Sequence, residues 1–158
     1  MKRLVIIDGK SVFYRGYYAM GALSTSDGLP TGGIYGFAAI AMEIVRQLKP
    51  TKVVVAWDSK TSVAKRKALY EGYKAGRAKP GDDFYVQIPM LEELIKALGW
   101  AFVEVPEYEA DDIIGTLALQ ANQFACNRIA DNGQTSSSED VMLTHRMSNT
   151  APLRASNL

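Results

Sequence analysis

The sequence predicts an α/β domain whose largely parallel sheet is flanked by helices. Three observations carry this. Short apolar runs of strand length alternate with amphipathic stretches of helical period. Two of those runs end on an aspartate, Asp8 and Asp58. The helical stretches close at Pro50 and Gly99, the punctuation expected between the elements of such a fold.

Arg3 to Ile7 is apolar and stops at Asp8-Gly9, which reads as a buried strand. Gly32-Gly33 opens a helix with Ile34, Phe37, Ala38, Ala41, Val45 and Leu48 on one face. Lys52 to Trp57 is a second buried strand and runs into Asp58. Ser59 to Pro80 is basic and aromatic with little apolar period, the pattern of a partly exposed helix or arch. Phe84 to Leu98 is amphipathic through Ile88, Leu91, Leu94, Ile95 and Leu98. Trp100 to Val105 is a third strand, and Glu109 to Asn122 a helix with Ile113, Ile114 and Leu117 inward. Trp57 and Trp100 are expected in the core. The pattern divides the chain into a domain over 1–122 and a tail over 123–158. The tail has no sustained period, includes Thr135-Ser136-Ser137-Ser138, and offers no further strand.

Composition narrows the chemistry. Among 158 residues there is one cysteine, Cys126, so neither an internal disulfide nor a multi-cysteine zinc site is available. One histidine, His145, is a poor basis for a Ser-His-Asp or Cys-His mechanism. No apolar run reaches the length of about 18 residues needed to span a bilayer. The apolar stretch after Met1-Lys2-Arg3 is too short for a secretory signal, which points to a cytoplasmic protein without a membrane partner.

A formal net charge of +1 conceals strong segregation. Lys60 to Lys79 holds seven basic residues and one acid, whereas Glu104 to Asp112 holds five acids and no base. In an open parallel sheet, ligands bind beyond the carboxyl ends of the strands. Asp8 and Asp58 are therefore expected in one crevice, joined by Glu109, Asp111 and Asp112 at a helix start. Each acid alone reads equally well as a turn or cap residue; acids at three strand ends together read as a site. Such a cluster must be neutralised, and oxygen ligands without His or Cys suit Mg²⁺ or Mn²⁺. The chemistry expected is metal-assisted phosphoryl transfer.

Arg66, Tyr70, Tyr73, Lys74 and Arg77 are spaced so that most share one helical face, an aromatic–cationic mixture suited to a single-stranded nucleic acid. Tyr14-Arg15 and Tyr17-Tyr18 add a similar cluster near the same edge. Gly28-Leu29-Pro30-Thr31-Gly32-Gly33 lacks the Lys-Ser/Thr of a Walker loop and reads as a turn into a helix whose N-terminus is open to a DNA phosphate. Acids for metal beside bases for a polyanion describe a nuclease. The alternative is a catalytically inactive nucleic-acid-binding fragment, with a PIN-type ribonuclease and an unstable fragment as further readings.

Several of these stretches resemble a known family. Ile7-Asp8-Gly9, Tyr14-Arg15, Gly28 to Phe37, Val55-Ala56-Trp57-Asp58, Arg66 to Arg77 and above all Glu109 to Ala118 are similar to the 5′→3′ exonuclease domain of bacterial DNA polymerase I, of the flap endonuclease family. The resemblance covers about residues 3–122. It implies a PIN-like, resolvase-like fold and divalent-metal-dependent cleavage of DNA at 5′ ends or flaps, by a monomer linked to a fused or separate polymerase domain. It implies metal ligation, in the family by two ions, at Asp8, Asp58, Glu109, Asp111 and Asp112. It implies contacts to the scissile phosphate from Lys74 and Arg77 and base stacking by Tyr73. The family's later acidic motifs and helix-hairpin-helix module have no counterpart after Asn122. The expectation is thus an incomplete fold, as from a truncated or frame-shifted gene, with the second-metal ligands largely missing.

Overall fold

The computed structural model describes residues 3–73, 79–132 and 140–144. The elements run β1 (Arg3–Asp8), α1 (Gly9–Met20), α2 (Gly32–Leu48), β2 (Lys52–Trp57), α3 (Ser62–Leu69), α4 (Asp82–Tyr85), α5 (Ile88–Ala97), β3 (Ala101–Glu104), α6 (Ala110–Asn132) and β4 (Asp140–Thr144). The strands form one four-stranded sheet in the order β3-β2-β1-β4. All three pairings are parallel, with Asp8 in register with Ala56 and Trp57 with Glu104. The α/β prediction holds.

The central strands bury both faces, as continuous apolar runs require. On one face Val5, Ile7, Val53, Val55 and Trp57 meet Val12 and Phe13 of α1, Phe37, Ala41 and Ile44 of α2, Phe84, and Leu91 and Ile95 of α5. On the other, Ile6 and Ala56 meet Ala110, Ile113 and Ile114 of α6. The period of two thus sorts one strand into two cores. Phe13 is wholly buried at the first core's centre, edge-on to Phe84 at 4.8 Å between ring centroids. Trp57 is buried as expected, while Trp100 packs half-buried at the rim.

Four expectations are corrected. The amphipathic stretch 84–98 is two helices, because Pro89 has no N–H to continue a helix from α4, and the buried Gln87 side chain turns inward at the break. The basic segment is helical only to Leu69; Tyr70 is extended (φ −149°) and a turn through Glu71-Gly72 follows, so Arg66, Tyr70 and Tyr73 share no helical face. Lys74 and Arg77 lie outside the described residues. Helix α6 passes residue 122 unbroken to Asn132, and a strand does follow it: Asp140–Thr144 pairs with β1. Val141-Met142-Leu143 is too short to announce a strand by period. The open edge of β1 supplies the partner, and pairing across more than 130 residues is a tertiary effect.

Gln87 explains another departure. Its Oε1 accepts from the Gly33 N–H at 2.9 Å and the Ile34 N–H at 3.3 Å, and its Nε2 donates to the Asp83 carbonyl at 2.7 Å. The turn through Gly28 (φ 83°) leads into α2 as expected, but two amides of that N-terminus serve the core and are not open to a phosphate. Gln87→Leu leaves those buried N–H groups unpaired. We expect a loss of about 1–3 kcal/mol, read as a lower urea midpoint with an unchanged m-value.

Candidate functional site

The first strand acid is placed by its own helix. Asp8 ends β1, is 9% exposed, and caps α1 by accepting from the Ser11 N–H at 3.0 Å. Gly9 follows because nothing larger fits: a Cβ there would stand 2.6 Å from Val55 Cγ1 and 2.7 Å from the Trp57 ring. This close approach seats the start of α1 against β2. It also brings Lys10 Nζ to 3.7 Å from Asp58 Oδ2.

Asp58 stands one residue beyond β2, on the strand next to Asp8. Adjacent strands lie about 4.8 Å apart, and the register offsets Asp58 from Asp8 by two residues, about 6.6 Å along the strand. Both acids thus occupy the carboxyl edge. Asp58 Oδ1 accepts from the Ala110 N–H at 2.8 Å, a tertiary cap on the first residue of α6. That bond carries the acids of α6 to the edge where β1 and β2 end.

At α6 the acids serve one another's backbone. Asp112 Oδ2 accepts from the Glu109 N–H at 3.0 Å, half of a capping box. Asp111 is exposed, and Glu109 is only 4% exposed. The loop before them is tied down where the Thr61 hydroxyl accepts from the Glu107 N–H at 3.1 Å and Tyr108 O from the Ser59 N–H at 3.2 Å.

Arg66 enters this cluster from α3. Its Nη2 donates to both Asp112 oxygens at 2.8 Å, and its Nη1 stands 3.1 Å from Glu109 Oε2. The Tyr73 hydroxyl donates to the same Glu109 Oε2 at 2.8 Å, and the Arg66 guanidinium lies 5.6 Å from the Tyr73 ring centre. The bonds to Asp112 and then to Tyr73 raise the pKa of Arg66, which is charged at any working pH.

The structure brings Asp8, Asp58, Glu109 and Asp112 to one edge but does not close them into the single pocket expected. Among the described residues no group of three acids is gathered to hold a cation. Lys10 faces Asp58, and Arg66 binds Glu109 and Asp112. The sequence reading missed Lys10, although a cation two residues after a strand-end acid was its signal. It also set Arg66 and Tyr73 toward nucleic acid; in the structure the Arg66 Nη atoms and the Tyr73 hydroxyl meet Glu109 and Asp112.

The second aromatic cluster is likewise drawn inward. Tyr14 and Tyr17 pack on Phe84 at 4.4 and 5.2 Å between ring centroids. The Tyr17 hydroxyl donates to Asp83 Oδ2 at 2.6 Å, which pushes the phenol up to about 12. Arg15 and Tyr18 remain exposed on α1.

A parallel sheet covered on both faces, with acids meeting at its carboxyl edge beside a basic segment, defines an α/β domain with a carboxylate edge site. Residues 3–131 match the family model of the 5′-3′ exonuclease N-terminal resolvase-like domain, and the chain belongs to that family. It is 42% identical over 123 residues to a 5′-3′ exonuclease of Aquifex aeolicus, covering 78% of this chain and 42% of that protein. It is 42% identical over 123 residues to DNA polymerase I of Bacillus subtilis, covering 77% of this chain and 14% of the polymerase. The chain therefore spans less than half the length of these relatives. Among solved structures it is similar to the bacteriophage T5 5′-exonuclease with divalent metal ions (zinc) bound (TM-score 0.55, 16% identity, 78% of this chain and 46% of that one). A T5 flap endonuclease pseudo-enzyme–product complex with DNA and metal ions has a TM-score of 0.51 at 14% identity, over 90% of this chain and 55% of that one. At these identities the likeness is one of fold. No helix among the described residues is long and apolar enough to cross a membrane.

Proposed function

We propose that this chain carries the amino-terminal part of a divalent-metal-dependent 5′→3′ exonuclease and flap endonuclease that hydrolyses phosphodiester bonds of DNA in the cytoplasm. The observation that supports it most is the bond from the Ala110 N–H to Asp58, because it joins the acid after β2 to the acids of α6 at the edge where β1 also ends. We assign the activity to residues 1–122, with β4 paired to β1 beside them.

An all-oxygen donor set suits a hard cation, Mg²⁺ or Mn²⁺. Asp8 and Asp58 are the residues that would hold it, with Glu109, Asp111 and Asp112 alongside. When bound, the ion supplies Lewis acidity toward a phosphoryl oxygen and a water. The remaining work falls to the chain. Capping bonds at Ser11 and Ala110 orient the two strand acids before any ligand arrives. The Tyr73 hydroxyl and Arg66 hold the buried Glu109 carboxyl group in a fixed orientation. Lys74 and Arg77 are assigned to the scissile phosphate, and Arg15 to the strand beyond it, as screened phosphate contacts. The partner is DNA with 5′ ends or flaps, engaged by a monomer whose polymerase domain is fused or separate.

The test is cleavage of a labelled 5′-flap oligonucleotide by the purified 158-residue chain with Mg²⁺ or Mn²⁺. Turnover that stops with EDTA and in Asp8→Ala supports the reading. Cleavage that is equal in Asp8→Ala, or absent with both metals, ends it.

A further inference from the structure

Glu109 is buried, and a buried carboxyl group needs polar partners. Two donors meet its Oε2: the Tyr73 hydroxyl at 2.8 Å and Arg66 Nη1 at 3.1 Å. The same guanidinium grips both oxygens of Asp112 at 2.8 Å. One cation from α3 thus meets two acids at the start of α6, Glu109 just before it and Asp112 in its first turn. Asp111 adds a further acid on the same helical turn, and Arg66 lowers the repulsion among these side chains.

This is the compensation a divalent ion would also provide. An ion drawing on Glu109 meets the positive charge of Arg66 and competes for the same oxygen lone pairs. Resting on the metal-dependent reading above, we propose that Arg66 is a positioning residue, the resident counter-cation that holds Glu109 and Asp112 in place and opposes divalent-ion binding at this edge. The Tyr73 hydroxyl supports it on Glu109. By linkage the opposition is mutual: ion binding loosens Arg66 from the acids, and with it the turn that leads into the basic segment.

The test is calorimetric titration of the full chain with Mn²⁺ at 0.1 M salt, beside thermal melting in EDTA and in saturating Mn²⁺. A unit charge close to a divalent ion, screened as in water, is worth about tenfold in affinity. Arg66→Gln is expected to bind Mn²⁺ about tenfold more tightly, to melt lower in EDTA, and to gain more from Mn²⁺ than the parent does. Arg66→Lys keeps the charge and should restore an affinity near the parent's. A merely structural arginine would give the opposite sign, since its loss would disorder the acids and weaken binding. Mn²⁺ affinity in Arg66→Gln that is unchanged or weaker, while the parent binds the ion, overturns this proposal and leaves the nuclease reading standing. Binding of Mn²⁺ by neither the parent nor Arg66→Gln removes both. If circular dichroism finds Arg66→Gln unfolded, Tyr73→Phe decides: two- to threefold tighter binding supports the proposal, and unchanged or weaker binding overturns it.

Discussion

Asp58→Ala is expected to cut metal-dependent cleavage about 1,000-fold, the scale of a lost charge-stabilising ligand worth several kcal/mol. It should also cost about 1 kcal/mol of stability, because the first amide of α6 loses its acceptor. Asp58→Asn separates the two roles. The amide oxygen still accepts from the Ala110 N–H, so the fold is largely kept, but the negative charge facing Lys10 is gone. The expected pair of results is a urea midpoint close to the parent's with turnover close to that of Asp58→Ala. Flap cleavage in Asp58→Asn within a few-fold of the parent would show that Asp58 only caps a helix.

Gly36→Ala is expected to be the most damaging single methyl in the molecule. Helices α1 and α2 cross at Gly16 and Gly36. A Cβ on Gly36 would lie 2.4 Å from the Gly16 Cα and 2.7 Å from its carbonyl carbon and oxygen. A Cβ on Gly16 would lie 2.6 Å from the Phe37 nitrogen. These neighbours are backbone, so no rotamer change relieves the contact and the helices must part. Alanine gains about 1 kcal/mol of helix propensity over glycine, and overpacking costs up to about 3 kcal/mol or more. The steric term wins, with a net loss of about 2 kcal/mol measured by urea unfolding. Gly115, exposed on α6 with nothing within 4 Å of its Cβ, is the control. There Ala should be neutral or stabilising. Equal behaviour at the two positions would mean the helix crossing is looser than described.

Much of the architecture was readable from local pattern. The runs Leu4 to Ile7 and Val53 to Trp57 are apolar without alternation, and both became central strands buried on each face. The helix from Gly32 to Leu48 began and ended at its glycine and proline signals. Ile113, Ile114 and Leu117 faced the sheet as their spacing required. The strand at 140–144 was illegible, because three apolar residues carry no period and its partner is the first strand of the chain. The break before Pro89 was concealed by apolar spacing that continued across it.

The site divides along the same line. That Asp8, Asp58 and the acids of Glu109 to Asp112 belong to one edge followed from sequence alone, since a parallel sheet sends every strand's end to the same side. Local pattern says nothing of which charges face one another across 43 to 48 residues of chain. Tertiary packing turned Arg66 and Tyr73 from the expected nucleic-acid face onto Glu109 and Asp112, and set Lys10 before Asp58. The reason is electrostatic: acids packed at one edge draw in the nearest cations, and only the folded chain decides which are near.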